Sequence, residues 1–462
     1  MRRVTGTILL VTFVLAMAGT QVRAAVLTLD DCIELALQKR ASIIQARGSE
    51  QTAYAGQRSA LGAFLPRVSA SYSWSKGKET DITPPNQQAT GYETVLDTIV
   101  VNGQTAVDAR QVPTGIQEIT EQTNGPRKTL GISAYMTLVD FSNIFDYASA
   151  SAAHSSAKLD VLASEQDLIY SVKTSYYAYL ATVQNVAVQE DAVKRSEEQL
   201  KLIQSRFDLG SASLSDVLKQ KVLYGNDRLS LLTAQNGVTN AKANLAYTIG
   251  LDPKQEHEFS SEYTVRAYEG TLDDAIKFGM DHNPTLLSSE QTLSQAVNGV
   301  RSARASYLPT LSLSGSYSKS SGTQSFPYTI DYSSKSLSYG FSVNWNIFDG
   351  FLRQQNITQA SVFRNNARAG FSDTRNLTVA NIKTAYLDIE QLKEKKSVSQ
   401  ENVDAAQEDM KITQEKYNLG AATILDLLDA QVSLKQAQVQ LIQADFDLNL
   451  AIAKLENAMG KM

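Results

Sequence analysis

The side chains that most often carry catalysis or bind metals are few in this sequence of 462 residues. It contains one cysteine, Cys32, and three scattered histidines, His154, His257 and His282. A zinc site needs three or four such ligands at short spacings, so we predict no metal centre. The sequence also has no G-x-S-x-G element, phosphate-binding loop or dinucleotide fingerprint. We therefore predict a protein that is not an enzyme and uses no cofactor, and we interpret Cys32 as a half-buried packing residue.

The remaining chemistry is that of charge, and its main candidates are two aspartates near the C-terminus. Asp426 and Asp429 lie three residues apart, so both would lie on the same face of a helix. Thr423 with Asp426 also fits a capping box at a helix start, as Ser213 does with Asp216. Capping would explain Asp426 but not Asp429, which fits either a solvated helix face or a function for its charge. The residues themselves leave these alternatives open.

These aspartates belong to a duplicated sequence. Residues 206–250 align without a gap with residues 416–460, at an offset of 210. A second match, at an offset of 243, pairs Leu29-Asp30-Asp31 with Leu272-Asp273-Asp274. Each half therefore predicts a helix, a strand, a loop, a strand, a long helix, a turn and a helix. The predicted segments are a signal peptide (1–24), a first repeat (25–250), an inter-repeat linker (251–270) and a second repeat (271–462).

The N-terminus predicts export. Arg2 and Arg3 precede an apolar run, and Val22-Arg23-Ala24 has small residues where a signal peptide is cleaved. Cleavage would remove three arginines and lower the formal charge from -5 to -8, which argues against a nucleic-acid partner. Beyond this segment no stretch is apolar enough to predict a spanning helix, so a membrane span would have to be a β-barrel.

The helices are predicted to be long and closely packed. Leu427, Leu434 and Leu441 begin a seven-residue series in which alanines follow three residues later, a pattern typical of helices that pack side by side. Long helices are predicted at about 149–208 and about 357–418, each roughly 90 Å in length. Because this length exceeds a bilayer several-fold, we assign the helical hairpins to the periplasm.

Four segments alternate between apolar and polar residues with the two-residue period of a strand: 68–74, 130–138, 311–318 and 337–347. One apolar face is what a membrane barrel needs, although a single such strand would also fit a soluble sandwich. Since the smallest barrels have about eight strands, four strands would have to be shared among two, three or four chains. Between the first two strands, the polar segment 77–126 predicts an exposed loop.

The whole pattern resembles the TolC-like outer-membrane efflux family. Its most specific element is the duplicated Leu-Gly turn, followed by Asp-Val-Leu in the first half and Asp-Leu-Leu in the second. The resemblance implies a mainly α fold with a membrane β-barrel, in which a homotrimer forms a 12-strand barrel in outer-membrane lipid and a long α-helical barrel in the periplasm. It also implies an exit duct for multidrug efflux or type I secretion, fed by a periplasmic membrane-fusion adaptor and an inner-membrane pump of the RND, MFS or ABC type.

The resemblance also implies roles for individual residues. The family's adaptor-docking tips match Leu209, Gly210, Ser211, Leu419, Gly420 and Ala421. Asp426 and Asp429 match two rings of aspartates at the periplasmic gate, and Tyr417 and Asp216 match positions that hold the gate closed. The position of a gate-locking arginine is occupied here by Ala422, so we expect a weaker lock or one with other partners. The two glycines would in either case end their helices in the left-handed conformation.

Two other classes of function fit less well. An outer-membrane hydrolase needs a serine, histidine and acid on its barrel wall, but no histidine falls in a predicted strand. A coiled-coil stalk or adhesin without a conducting pore would explain the seven-residue repeats but not the strands in both halves. The sequence does not identify the transported substrate.

Overall fold

The computed structural model of the protein describes residues 26–80, 88–89, 91–101, 103–114, 116–117, 122–261, 268–325 and 329–461. The predicted signal peptide and part of the predicted linker lie outside these residues. The first half contains α1 (Leu29–Lys39), α2 (Ala41–Gly62), β1 (Arg67–Thr80), β2 (Gln88–Ala89), β3 (Tyr92–Val101), β4 (Gln104–Pro113), β5 (Ile116–Gln117), β6 (Gln122–Val139), α3 (Phe141–Asp208) and α4 (Leu214–Thr248). The second half contains α5 (Leu272–His282), α6 (Pro284–Ala305), β7 (Thr310–Ser325), β8 (Thr329–Asn344), α7 (Leu352–Asn418) and α8 (Ile424–Met459).

The second half repeats the element order of the first, apart from the short strands between β1 and β6. The bounds of α5 and α6 follow those of α1 and α2 at the offset of 243, and α3 and α7 end at positions 210 residues apart. The mainly helical fold with a sheet is thereby confirmed. The exact repeat and linker boundaries remain a prediction.

The duplication is visible in how the helices begin. The N-cap residues Thr28, Ser213, Thr271 and Thr423 each accept a hydrogen bond from the backbone amide of an aspartate three residues later. In α1, α4 and α8 the aspartate also accepts a hydrogen bond from the cap's own amide, which completes a capping box. Each box satisfies two amides that a helix start would otherwise leave unpaired.

The long helices α3 and α7 have 68 and 67 residues, and both begin earlier than the sequence pattern predicted. Asp140 accepts a hydrogen bond from the backbone amide of Ser142 at 2.9 Å, and Asp349 accepts one from that of Arg353 at 3.1 Å. These side chains provide helix starts that apolar periodicity does not show. Among the described helices, none is both long enough and apolar enough to cross a membrane.

The main sheet is antiparallel, with strand order β1-β6-β7-β8. Its register aligns one serine from every strand in a row: Ser69, Ser133, Ser316 and Ser338. The hydroxyl oxygens of the outer pairs in this row are 2.7 and 2.8 Å apart. The neighbouring row consists of apolar residues, Ala70, Ile132, Tyr317 and Leu337, so the sheet has one apolar and one polar face.

Two strand predictions require correction. The predicted loop at 77–126 is largely β-structure where it is described, because β1 continues to Thr80 and β6 begins at Gln122. Further along, β2 pairs with β5 and β3 pairs with β4. The predicted strand at 337–347 ends at Asn344, beyond which the indole nitrogen of Trp345 donates a hydrogen bond to the carbonyl of Tyr307 at 3.1 Å. In β1 and β6 the backbone pairing continues through polar residues that show no alternation. In β8 the opposite holds, because the alternation continues to Ile347 although the backbone pairing ends at Asn344.

The described residues divide into two compact units, each drawn from both halves of the sequence. The first unit comprises residues within Met1–Thr52, Ser155–Thr292 and Arg368–Met462, and the second those within Ala53–His154 and Leu293–Ala367. The sheet lies in the second unit. The helical turns and the aspartates of interest lie in the first.

The first unit contains two apolar clusters at equivalent positions of the two repeats. One is built around Val172 and Leu245, the other around Ile382 and Leu455. Cys32 belongs to the first cluster and is completely buried, rather than half-buried as predicted. Burial, with a smaller contribution from the charge of Asp31, raises the pKa of its thiol to about 12. The thiol is therefore protonated at neutral pH.

The predicted apolar seam of α8 is confirmed. Leu427, Leu434, Leu448 and Leu455 are buried, and so are the alanines at 430, 437, 444 and 451. Alanines beside leucines allow neighbouring helices to approach closely. The seam therefore positions α8, and with it the aspartates at its start.

Candidate functional site

Two short turns, 209–213 between α3 and α4 and 419–423 between α7 and α8, form the tips of the helical hairpins. Gly210 and Gly420 adopt φ angles of 77° and 79°, in the left-handed region that glycine tolerates best. In the first turn the amide of Ser211 donates to the carbonyl of Arg206 at 2.8 Å, and that of Gly210 donates to Phe207 at 2.9 Å. The second turn repeats both bonds. This pair of bonds is the Schellman motif, and it confirms the predicted helix-end role of the glycines.

The tips present apolar side chains to their surroundings. Leu209 is 83% exposed and Leu419 is 84% exposed. A Cβ atom added to Gly210 or Gly420 would have no other atom within 4 Å. Ser211 and Ala421, which follow the glycines, are also exposed. All six residues predicted to dock an adaptor thus lie at accessible turns, and docking itself stays a prediction.

The two tips are held together by a small apolar cluster. Ile203 and Val217 of the first repeat pack with Ile424 and Leu427 of the second, and Phe207 and Tyr417 lie against them. Ile203 and Leu427 are fully buried. Since the cluster draws on both repeats, the two hairpins have a defined relative position at their tips.

The structure places Asp426 in the capping box of α8. One of its carboxylate oxygens accepts hydrogen bonds from the amide of Thr423 at 2.8 Å and from its hydroxyl at 2.7 Å. These bonds lower the pKa of Asp426 below its ordinary value, and the bond from the Thr423 side chain has a larger effect than the bond from its backbone. The capping alternative is therefore confirmed for Asp426. A capped carboxylate is still ionised, so capping does not exclude a role for its charge.

Asp429 does not take part in this cap and is exposed on α8. It follows Asp426 by three residues, so the two carboxylates lie on one side of the helix. Asp216 caps α4 through Ser213 in the same way as Asp426 caps α8. The described residues contain no group of three or more His, Cys, Asp or Glu side chains placed to hold a metal ion.

A basic residue that the sequence analysis did not single out lies between the tips. The guanidinium of Arg206 lies over the ring of Tyr417, 5.2 Å from the ring centroid. This distance is within the limit of about 6 Å for a cation–π contact. Its Nη2 atom donates a hydrogen bond to the side-chain oxygen of Asn418 at 3.1 Å. Arg206 belongs to α3, whereas both partners belong to α7. It therefore links the two hairpins of one chain.

Tyr417, Asp216, Arg206 and Ala422 line one cleft between the turns. Burial raises the pKa of Tyr417, the positive charge of Arg206 opposes this rise and the negative charge of Asp216 adds to it. The structure thus places Tyr417 and Asp216 in one cleft, and their role in a gate stays a prediction. Neither Asp426 nor Asp429 lines the cleft. Sequence reasoning missed Arg206, because its repeat counterpart, Lys416, is also basic and the pattern does not distinguish the two. In the structure Lys416 is exposed.

The sequence profile of one protein family, described as outer membrane efflux protein, matches residues 32–251 and 280–461. These segments include both hairpin tips, Asp216, Asp426 and most of the helical core. The chain belongs to the outer membrane efflux protein family. The predicted location in the outer membrane and the predicted role as an exit duct for efflux or secretion are thereby confirmed. Members of this family are channel and transport proteins.

Curated relatives agree with this assignment. The chain is 24% identical over 404 residues to the outer membrane efflux protein BepC of Brucella suis, a match that covers 87% of this chain and 78% of BepC. It is 22% identical over 307 residues to the outer membrane protein TolC of Escherichia coli, covering 64% of this chain and 62% of TolC.

Solved structures show the same fold. The outer membrane protein VceC of Vibrio cholerae matches with a TM-score of 0.74 and 18% identity, over 94% of this chain and 96% of VceC. The CmeC outer membrane channel of Campylobacter jejuni matches with a TM-score of 0.75 and 17% identity, over 94% and 85%. These likenesses confirm the predicted combination of long helical hairpins with a β domain.

Proposed function

We propose that three copies of this chain assemble into one duct, which receives substrates from a periplasmic adaptor and an inner-membrane pump and releases them outside the cell. The observation that carries this proposal is the pair of accessible tips, joined to each other and flanked by acidic helix starts, in a member of the outer membrane efflux family. The pump would be of the RND, MFS or ABC type. Either drug efflux or type I secretion fits this arrangement.

The main sheet supports assembly. Its edge strands are β1 and β8, and within the described residues neither has a second strand partner in the chain. Strand edges with unpaired backbone groups are not tolerated in lipid. We therefore propose that β1 of each copy pairs with β8 of the next, so that the sheet continues around a threefold axis.

The apolar face of the same sheet supports contact with outer-membrane lipid. Tyr339, Phe341 and Leu337 of β8 are 84%, 78% and 73% exposed in the single chain. A soluble monomer seldom leaves so large a contiguous apolar surface in water. The opposite face contains the row of serines, which suits the water-filled interior of a duct.

The tips support docking and gating. The exposed leucines Leu209 and Leu419 offer apolar anchors to the adaptor, and Asp426 and Asp429 begin α8 directly behind one of these turns. A threefold axis would bring three copies of each aspartate together at the periplasmic mouth. In this chain Arg206 would hold the periplasmic gate closed, because Ala422 occupies the position of the family's gate-locking arginine.

Assembly can be tested by mass. The mature protein purified in a mild detergent is expected to have the mass of three chains, because four strands leave two open edges that only other copies can satisfy. Native mass spectrometry measures this, and planar-bilayer recording of the same sample tests conduction. A stable monomer with native helix content would contradict shared assembly, and a trimer without conductance would favour a stalk.

The proposed lock can be tested by removing Arg206. The Arg206→Ala variant is expected to have a higher resting conductance, because it loses a cation–π contact of about 0.5–1 kcal/mol, or about a two- to five-fold weaker lock for each copy. Single-channel recording measures the effect. Lys416→Ala is the matched control, since it removes the same charge at the equivalent, exposed position of the second repeat. Equal conductance of the two variants would rule out the lock.

A further inference from the structure

The two repeats differ in charge at one place in their second helices. At the offset of 210, Asp227 in α4 corresponds to Ala437 in α8, and Lys435 in α8 corresponds to Gly225 in α4. Each helix thus has one charged residue where the other has a small neutral one. The charges are opposite in sign, so together they form a complementary pair that neither repeat contains by itself.

The structure brings these two residues together. The Nζ atom of Lys435 lies 2.7 Å from a carboxylate oxygen of Asp227, and their side chains are 19% and 5% exposed. The contact joins α4 of the first repeat to α8 of the second. Of the corresponding small residues, Ala437 is buried, whereas Gly225 has open space beside it, since a Cβ atom there would have no neighbour within 4 Å.

The surroundings of the pair are polar as well. Arg195 of α3 and Gln431 of α8 line the same small cavity as Asp227 and Lys435. One guanidinium nitrogen of Arg195 is buried and has no hydrogen-bond partner among the described residues. Burying this much charge is unfavourable compared with the leucine and alanine seam on either side. A contribution to stability alone therefore does not explain the pair.

A buried charge pair can instead define which helices pack together and in which register. This matters here because the seams of α4 and α8 are derived from one duplicated sequence and are alike in their apolar spacing. An apolar seam alone would permit slippage by one or more turns, whereas a shifted register would leave Asp227 and Lys435 buried without partners. The pair thus favours a single alignment of the two helices.

The pair also lies close to the proposed gate. Asp429 precedes Lys435 by six residues on α8, which is about 9 Å along a helix. We infer that Asp227 and Lys435 are positioning residues for the gate, which hold α4 and α8 of one chain in fixed register so that opening moves only the segments between this pair and the tips. The inference rests on the proposed function for its reference to a gate, but the fixed register can be measured without it.

The decisive variant replaces both charges by leucine, Asp227→Leu with Lys435→Leu. Because a well-packed apolar pair often replaces a buried ion pair without loss of stability, this protein is expected to fold and to form trimers. If the pair fixes the register, the variant will nevertheless show several helix alignments. The charge-swapped variant, Asp227→Lys with Lys435→Asp, is expected to restore a single alignment and keeps the test interpretable if the double leucine variant fails to fold.

The helix alignment can be measured with spin labels, attached to cysteines introduced at the exposed positions Leu229 of α4 and Gln436 of α8. The native Cys32 should not react with the label, because it is buried. Pulsed electron–electron double resonance measures the distance between the two labels, on samples diluted with unlabelled chains. The wild type and the charge swap should give one narrow distance distribution, and the double leucine variant a broad distribution or several distances. A single unchanged distance in the double leucine variant would overturn the inference. Single-channel recording adds a second readout, in which several conductance levels are expected for that variant alone. A wild type that gives one distance but no current would count against the proposed function and leave the fixed register intact.

Discussion

Replacing both Asp426 and Asp429 by alanine is expected to abolish cation selectivity of the duct. Three copies of each carboxylate around one axis would create a negative potential at the periplasmic mouth, which attracts cations and binds multivalent ones. Without these charges the ratio of cation to anion permeability should fall close to one, and block by multivalent cations should disappear. Single-channel recording in asymmetric salt measures both quantities.

The effect of the charge of Asp426 can be separated from the effect of its cap by a second variant. Glutamine at the same position can still accept a hydrogen bond from the amide of Thr423, as in other capping boxes, but carries no charge. Asp426→Gln should therefore lower selectivity, with Asp429 still charged, while keeping the thermal stability that Asp426→Ala loses. Asp31→Ala, which removes the equivalent box from α1, should lower stability without changing selectivity. Unchanged selectivity in the double alanine variant would leave both aspartates as helix-start and surface residues.

The pH dependence follows from the direction of the pKa shift. The hydrogen bonds from Thr423 favour the ionised form of Asp426 and lower its pKa, so its contribution to stability is present above the unfolded-state pKa and is lost as pH falls through the lower folded-state pKa. Repulsion among clustered carboxylates in a trimer would act in the opposite direction. Cation selectivity should thus persist through mildly acidic pH and weaken only at lower values. The Asp429→Ala variant isolates this dependence for Asp426.

Bulky substitution at the tips is expected to uncouple the duct from its adaptor while leaving it folded in the membrane. Gly210→Trp and Gly420→Trp would introduce left-handed strain of about 1–2 kcal/mol, but the added Cβ meets no atom within 4 Å. The substitutions should therefore weaken binding of the adaptor to the tips more than they weaken folding. Export in a strain that depends on this duct, together with recovery of the adaptor by cross-linking, measures the loss.

Two controls separate docking from folding. Leu209→Ser with Leu419→Ser removes the exposed anchors without backbone strain, and loss of such anchors is expected to weaken docking by about 2 kcal/mol, or about thirty-fold. Gly460→Ala carries the same positive φ, 77°, but its Cβ would lie 2.6 Å from the carbonyl oxygen of His282. It should impair folding rather than docking. Export that survives both tip substitutions would show that the adaptor binds elsewhere.

Local features of this protein were determined by the sequence itself. The four helix starts at Thr28, Ser213, Thr271 and Thr423 depend on residues three positions apart, and the left-handed glycines depend on the backbone at one position. The duplication then predicts the second half from the first. Alternation of apolar residues likewise indicates the four strands of the main sheet, because adjacent side chains in a strand point to opposite faces.

Strand ends and helix starts were less predictable, because they depend on partners rather than on spacing. β6 extends to Gln122 since its backbone pairs with β1 as far as Thr80, whatever side chains the two strands carry. Cys32 is fully buried because α1 packs on α3 and α4, elements that lie more than a hundred residues away in the sequence. A single cysteine preceded by two aspartates gives no indication of that environment.

The contacts that join the two repeats were decided only by the tertiary structure. Arg206 bonds to Asn418 across 212 positions, and Lys435 bonds to Asp227 across 208. In the sequence, Arg206 and Lys416 are equivalent basic residues, and only the packing of α3 against α7 places one of them over the ring of Tyr417 while leaving the other exposed. Duplication makes the two hairpins alike in pattern, so differences between them arise from which faces meet, and those faces are selected by long-range packing that no local spacing encodes.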